Sequence, residues 1–448
     1  MKRLSHFTKG RHAAVLATAL FAGALFKLSA FIRETFVTSH FGLTPLTDNY
    51  FSLQQLPLTV AAFMFGAFSR AFTPAYAEFI HEDASAEWVP GLFLYSTLAG
   101  LLLTGLTLLF APAIFYSIAR SQASANFQTL AILAASYVPI IFIGFCSAIW
   151  MSHGRSLGSM NLTGLPYLVM TMSLTGIGFS GHLGALCLPI SLTAGFTVIG
   201  AYSVAALFAE APFRKTRNLF TPWRLPEFHR FIRQMTASSI ETIAYSASQF
   251  SMLYFLAREG TGVISANNCA TRIGMLGFSL LAQPLTCFIQ GQLCAIGERK
   301  RQSVIRAYLA AMAICTCVFA GAVYHFRIQV IELIYMRGNF SRDALGNVAE
   351  ILPAWLGYFV ILSMNAVAAR YLFTISSGAA YTRHMLCGYA LTNCLRLIAA
   401  GHLPAASIIW CAVIGEGTAL LFNLRACVTR LPYGGPVMVT PELAGAST

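Results

Sequence analysis

Charged residues are scarce in this chain of 448 residues, and acidic residues are rarer than basic ones, at 16 against 29. Only 10% of the chain is charged, whereas soluble globular proteins carry about 25% charged residues, so a large soluble domain is excluded. Hydrophobic residues make up 57% of the sequence. Because an unpaired backbone cannot cross lipid, this composition predicts an all-α polytopic membrane protein.

Sequence motifs of soluble enzymes are also missing. The chain has no GxxxxGK[ST] phosphate loop and no HExxH metal motif. The eleven cysteines include no CxxC pair and are scattered in apolar runs, which is typical of small buried residues. We therefore expect a protein that is not an enzyme and holds no metal or cofactor. The driving force left to it is the membrane potential or a sodium or proton gradient.

Twelve apolar segments reach the length that is needed to cross a hydrocarbon core of about 30 Å. They are 13–36, 50–78, 89–115, 126–151, 160–179, 182–209, 229–257, 262–296, 304–324, 346–375, 382–401 and 404–427.

The loops between these segments predict the orientation. Sixteen Lys and Arg residues fall on one side of the membrane and five on the other, so both termini are expected in the cytoplasm. The most basic loop divides the chain into an N-terminal six-helix lobe (1–209), a linker (210–228), a C-terminal six-helix lobe (229–428) and a short cytoplasmic tail (429–448). Such loops favour anionic membrane lipids as partners, and nucleic acid is not expected.

Positive charges inside the predicted spans are the strongest functional signal. Lys27 and Arg33 lie about 21 Å and about 30 Å from the cytoplasmic face, and Arg272 lies about 15 Å from the other face. A cation buried in lipid costs roughly 3 kcal/mol, so it needs a compensating role. For Arg33 the alternative is snorkelling to the outer interface. Glu34 is an expected partner of Lys27 or Arg33, and together these charges predict a central cationic cavity for an anionic cargo.

Two polar residues of the C-terminal half are candidates for ion coupling. Glu241 lies about twelve residues into the seventh span, where it would be an ion site, a partner of an arginine or a protonated structural acid. Asn393 has a polar neighbour, Arg396, three residues further along the same helix.

Five short segments resemble motifs of the MurJ/MviN lipid II flippases. Residues 26–34 (FKLSAFIRE) are similar to the family's S-R-x-x-G-x-x-R-[DE], and 47–51 (TDNYF) to its T-D-A-F-F. Residues 66–74 (GAFSRAFTP) resemble G-A-F-S-x-A-F-x-P, 270–272 (ATR) resemble A-x-R, and 336–340 (MRGNF) resemble x-x-G-x-F. The match over the first two spans is specific, and the later ones are looser but collinear.

The resemblance implies a V-shaped exporter of two six-helix lobes, grouped with the MATE-like and polysaccharide-lipid exporters. It places Lys27, Arg33 and Arg272 on cations of the cavity, with lysine where arginine is usual. Asp48 falls on the acidic residue that opens the second helix, and Glu34 on the acidic end of the first motif. These five residues are the candidate substrate-binding set.

The chain departs from the family pattern in three places. Val60-Ala61-Ala62 is apolar where members carry arginine, and Met275 stands near the position of a usual acidic residue. Members usually have fourteen spans, so we expect a divergent member that lacks the last two.

The function that these observations predict is translocation of lipid II by alternating access, from the cytoplasmic to the periplasmic leaflet of the bacterial inner membrane. Enzymes of peptidoglycan synthesis are then candidate partners, and cell shape depends on the process. The alternatives are a flippase for another polyprenyl-linked oligosaccharide, a MATE-type drug or cation antiporter, a polytopic lipid-linked glycosyltransferase or ligase, and a partner protein that does not transport. An antiporter of cations would need carboxylates in its cavity, and a ligase would need a larger outer loop than 325–345.

Overall fold

The structure is a computed structural model in which every regular element of the described residues is a helix. The described residues are 21, 24–26, 28–69, 71–73, 76, 88–115, 123–153, 155–180, 183–210, 213, 226–278, 282, 298–374, 378–399 and 404–429.

Apolar segments broken by proline, glycine and polar turns form the helices of the N-terminal half. They are α1 (28–41), α2 (Pro45–Leu53), α3 (Gln55–Ala62), α4 (Trp88–Leu109), α5 (Ala111–Ile114), α6 (Ala123–Ala134), α7 (Tyr137–Ser152), α8 (Ser156–Ser180) and α9 (Cys187–Ala209).

The C-terminal half continues in the same way. Its helices are α10 (Pro226–Glu259), α11 (Val263–Gly277), α12 (Glu298–His325), α13 (Arg327–Tyr335), α14 (Arg342–Thr374), α15 (Gly378–Ala399) and α16 (Ala405–Thr429).

Seven helical stretches of the described residues are long and apolar enough to cross a membrane, so the polytopic class is confirmed, while the count of twelve stays a prediction. Three more predicted spans coincide with α8, α10 and α15, which have the length but a more polar composition. The seven are Pro45–Thr73, Trp88–Leu109, Phe127–Ser152, Gly184–Ala209, Gln302–His325, Arg342–Leu372 and Ala405–Thr429.

The second predicted span is not one regular helix. The α-helical pattern is interrupted at Gln54, three residues before Pro57, which has no N–H to continue the ladder. A π-helical turn follows at Phe63–Phe68. Beyond it, the ring of Phe72 lies 6.0 Å from that of Phe231 on α10, so this helix contacts the first turns of the C-terminal half.

Three glycine turns interlock the two halves at one end of the bundle. Gly42, Gly262 and Gly338 have φ of +68°, +85° and +63°, a region that residues with a Cβ rarely adopt. A Cβ on Gly338 would lie 2.3 Å from the carbonyl oxygen of Ser39, so only glycine fits there. Asn339 donates its backbone N–H to the same oxygen over 2.7 Å. The predicted orientation makes this the periplasmic end, which is closed.

Candidate functional site

A buried carboxylate joins charges from both halves of the chain. Glu34 on α1 is 1% exposed and accepts hydrogen bonds from the neighbouring Arg33, from Arg272 Nη2 at 3.1 Å and from Asn268 Nδ2 at 3.0 Å. Arg272 and Asn268 are one turn apart on α11, so both reach the same acid. We call Arg33, Glu34, Asn268 and Arg272 the inter-half cluster.

The two arginines of the cluster differ in exposure. Arg33 is 2% exposed, and its Nη1 lies 3.1 Å from the sulfur of Met170 on α8, so its side chain points into the N-terminal half. Snorkelling to the interface is therefore wrong for Arg33, and its expected pairing with Glu34 is confirmed. Arg272 is 27% exposed. Lys27, the third predicted cation, lies outside the described residues.

Both arginines keep a free donor. Among the described residues, no hydrogen-bond partner reaches the Nε–H of Arg33 or that of Arg272. One carboxylate facing two guanidinium groups also leaves one uncompensated positive charge. Guanidinium donors prefer the oxygens of carboxylates and phosphates, so the cluster has both the charge and the spare donors to bind an anion.

Hydrogen bonds along α11 fix the position of Arg272. Trp355 on α14 donates its Nε1–H to the side-chain oxygen of Asn267 over 2.8 Å. The hydroxyl of Tyr335 donates to the carbonyl oxygen of Cys269 over 3.2 Å. The helix that carries Arg272 is thus held by α13 and α14, and it meets the N-terminal half through side chains.

Asp48, another predicted binding residue, contacts the first turn of α11. Its Oδ2 accepts from the N–H of Gly262 at 2.5 Å, and its Oδ1 accepts from the N–H of Ser265 at 2.8 Å and from its hydroxyl at 2.6 Å. Helix N-termini present free N–H groups and partial positive charge, so they favour a carboxylate. In this conformation Asp48 binds the two halves together.

These contacts form two layers along the bundle axis. Eight residues separate Glu34 from Gly42 and ten separate Arg272 from Gly262, which correspond to about 12 Å and about 15 Å of helix. The inter-half cluster therefore lies well below the interlocked turns and the Asp48 cap. An anion that bound there would be deep in the membrane.

The two residues predicted for ion coupling lie in the C-terminal half, away from this cluster. Asn393 on α15 accepts a hydrogen bond from Ser251 at 2.5 Å and donates to the carbonyl of Tyr389 at 2.9 Å. Glu241 on α10 interacts electrostatically with Tyr389. A cavity of about 600 Å³, lined mainly by apolar side chains of α3, α10 and α15, reaches Ser251 and Asn393.

Sequence reasoning missed two contacts of the cluster. Asn268 lies four residues before Arg272, and this helical spacing is a signal that could have paired them on one acid. The contact of Met170 with Arg33 joins helices 137 residues apart, and no local pattern indicates it.

Comparison with known proteins shows the family to which this chain belongs. A sequence profile described as "Lipid II flippase MurJ" matches residues 37–380, which is more than half of the chain. The chain belongs to the MurJ lipid II flippase family. No curated protein sequence matches it. The family is one of flippases, so the chain is not an enzyme, and the glycosyltransferase or ligase alternative is set aside.

Solved structures share the fold at low sequence identity. A lipid II flippase MurJ in an inward closed conformation is 16% identical, with a TM-score of 0.80 over 92% of this chain and 87% of that one. An inward-facing MATE transporter of the MOP superfamily is 15% identical, with a TM-score of 0.75 over 93% of this chain and 98% of that one. An outward-facing MATE transporter is 16% identical, with a TM-score of 0.67 over 93% of this chain and 94% of that one. The fold is therefore that of MurJ and MATE transporters.

Proposed function

We propose that this integral membrane protein flips lipid II, a lipid-linked precursor of peptidoglycan, from the cytoplasmic to the periplasmic leaflet of the bacterial inner membrane. Membership of the MurJ family supports the class of cargo. The observation that carries the proposal is the inter-half cluster, in which one acid bridges arginines of both halves while a net positive charge and two Nε–H donors remain.

The cluster gives the cargo a direct way to act on the conformation. A diphosphate offers several anionic oxygens to guanidinium donors, whereas Glu34 offers two. Cargo binding at Arg272 would displace Glu34 and so remove a contact that holds the halves together. Lys27, six residues before Arg33 in the sequence, would add a further positive charge for the cargo. The polyprenyl tail would stay in the hydrocarbon of the bilayer while the head group crosses, so the protein would not need to bury the tail.

Closure of one end of the bundle supports the proposed direction of transport. The glycine turns and the Asp48 cap close the predicted periplasmic end, so this conformation suits loading from the cytoplasm. The higher TM-score to the inward-facing MATE structure than to the outward-facing one supports this assignment. Opening of the same end and closing of the other would release the cargo outside, with both termini of the protein remaining in the cytoplasm.

A flippase for another polyprenyl-linked oligosaccharide is the second candidate. Ala61 is 3% exposed, and it lies in the segment where the family pattern has arginine. A buried alanine contributes no charge to the cargo site, so part of the head group would be recognised differently. The diphosphate contacts would be the same for both cargoes.

The test is complementation in a bacterium depleted of its resident lipid II flippase. With this chain supplied at the membrane, we expect growth and cell shape to recover and lipid II to become accessible to a probe outside the cytoplasmic membrane. Normal membrane levels of the protein without such exposure would overturn the assignment to lipid II. Recovery of a different lipid-linked sugar in a matching depletion would favour the second candidate. Enzymes that polymerise lipid II are the proposed partners.

A further inference from the structure

The C-terminal half contains a second buried acid that the proposed cargo site does not use. Glu416 on α16 is 2% exposed, and its Oε1 accepts a hydrogen bond from the hydroxyl of Tyr358 at 2.7 Å. Among the described residues, its Oε2 has no hydrogen-bond partner and no salt bridge reaches the carboxyl. A buried carboxylate with one neutral donor is costly, so this group is poised to take up a proton.

Three helices of the same half pack against α16, and described residues of all three interact electrostatically with Glu416. Tyr245 comes from α10, Tyr358 from α14, and Tyr389 and Arg396 from α15. Tyrosine hydroxyls stay neutral near about pH 7, so Arg396 is the one charge among them. It interacts electrostatically with Glu416 without forming a salt bridge among the described residues.

Arg396 occupies the oxygen-rich part of this region. It is fully buried, and its Nη1 lies 3.0 Å from Ser251 Oγ and 3.1 Å from Ser248 Oγ, while its Nε donates to the carbonyl of Ile408 at 3.1 Å. Oxygens that converge from two helices are the ligands that a metal cation would need. Here a permanent cation already uses them, and its charge would repel a second one.

A line of polar side chains leads from the turn of Glu416 toward the predicted cytoplasmic end. Asn365 donates to the carbonyl of Glu416 at 3.3 Å, and Asn423 donates to the side-chain oxygen of Asn365 at 3.0 Å. The Nδ1 atom of His384 lies 2.8 Å from the side-chain oxygen of Asn423. This line places polar groups of α14, α15 and α16 between Glu416 and a half-buried histidine.

We propose that Glu416 is a proton-exchange site that couples transport to a proton gradient, with Arg396 as the fixed cation that keeps metal ions out. A proton adds to a carboxylate oxygen of Glu416 from one side of the membrane and later leaves to the other, and no other bond changes. Deprotonated Glu416 compensates the charge of Arg396, whereas protonated Glu416 leaves that charge uncompensated. The coupling rests on the proposed flippase function, but the proton binding does not.

The first experiment measures the proton directly in the purified full-length protein. Infrared difference spectra between acidic and alkaline pH should show the C=O band of a buried carboxylic acid, and Glu416→Gln should remove it. Glu241→Gln, at the other acid considered for coupling, should keep the band. Glu416→Asp should keep an exchangeable band at a shifted frequency. A band that survives Glu416→Gln, or that disappears in Glu241→Gln, would overturn the assignment.

The second experiment measures coupling in proteoliposomes loaded with the lipid-linked cargo. A pH gradient should accelerate flipping several-fold in the wild type and not in Glu416→Gln, and a sodium gradient at constant pH should have no effect. Acceleration by sodium alone would overturn the proton assignment. If no flipping occurs in the wild type, the flippase proposal fails, while the infrared result still decides whether Glu416 binds a proton.

Discussion

The arginines of the two buried polar clusters have different kinds of partner: a carboxylate in the inter-half cluster, and neutral oxygens around Arg396 in the C-terminal half. In the inter-half cluster, Arg33 and Arg272 meet a carboxylate, and the contact with Arg272 crosses from one half to the other. In the C-terminal half, Arg396 binds neutral oxygens of Ser248, Ser251 and Ile408. Its neighbouring acid, Glu416, accepts a hydrogen bond from the hydroxyl of Tyr358.

The difference indicates which charges can be exchanged. Arg272 is 27% exposed and pairs with an acid that an anion could replace, so its partner can change during transport. Arg396 is enclosed within one half, and its partners belong to helices that pack together. The first cluster is therefore suited to an incoming anion, and the second to a change in protonation inside one half.

The largest expected effect is from Arg272→Ala. It removes the one cluster cation that is both partly exposed and paired across the halves, so we expect transport to be lost with the protein still inserted. Complementation of the flippase-depleted host measures this at matched protein levels. Arg327→Ala is the control, because Arg327 is partly exposed and stacks over Tyr324. Retained transport in Arg272→Ala would remove the cargo role from the cluster.

The depth of Arg33 and Arg272 in apolar segments is the sequence signal for their functional role, which stays a prediction. Their partners were harder to predict, because Glu34 and Arg272 are 238 residues apart and only the tertiary fold brings them together. Asp48 was predicted as a binding residue. Its role in capping α11 was not predicted, because a cap from a distant segment depends on how the two halves pack.

The presence of a helix could also be predicted from the sequence more readily than the interruptions within it. Hydropathy indicated the segment at 50–78, but the interruption at Gln54 and the π-helical turn at Phe63–Phe68 depend on proline and on packing of phenylalanine rings. The polar group around Arg396 could not be predicted from the spacing of Asn393 and Arg396 alone, since the serines that bind the guanidinium come from another helix.

Substitutions at Lys27, which lies six residues before Arg33 in the sequence, sharpen this comparison. Lys27→Glu should abolish complementation, because it places a negative charge against the diphosphate in a low-dielectric site. Lys27→Arg should be tolerated, since charge and reach are preserved and the family pattern has arginine there. Normal transport by Lys27→Glu would show that the anion does not pass this position.

A pair of glycine substitutions tests closure of the end that the predicted orientation makes periplasmic. Gly338→Ala would place a Cβ 2.3 Å from Ser39 O, so the halves could not close, and we expect roughly a tenfold loss of transport. Gly184→Ala has a similar positive φ, +48°, but open space around the new Cβ, so it controls for backbone strain of about 1–2 kcal/mol. Equal losses in the two variants would show that strain, and not closure, is responsible.

A smaller effect is expected from Asn268→Ala. It removes one neutral donor to Glu34 and leaves both arginines in place, and a hydrogen bond to a charged group contributes about 1.5–3 kcal/mol. Thermal unfolding in detergent should show a modest decrease in melting temperature, with transport reduced and not lost. A complete loss of transport would indicate that Asn268 contacts the cargo itself.

The most direct test of the central claim is the affinity of the purified protein for a short-chain polyprenyl diphosphate, compared between the wild type, Arg272→Ala and Glu34→Gln. If Glu34 competes with the cargo for Arg272, then Glu34→Gln should bind the diphosphate about tenfold more tightly, which corresponds to about 1.4 kcal/mol, and Arg272→Ala should bind it more weakly. Weaker or unchanged binding by a folded Glu34→Gln variant would contradict the account.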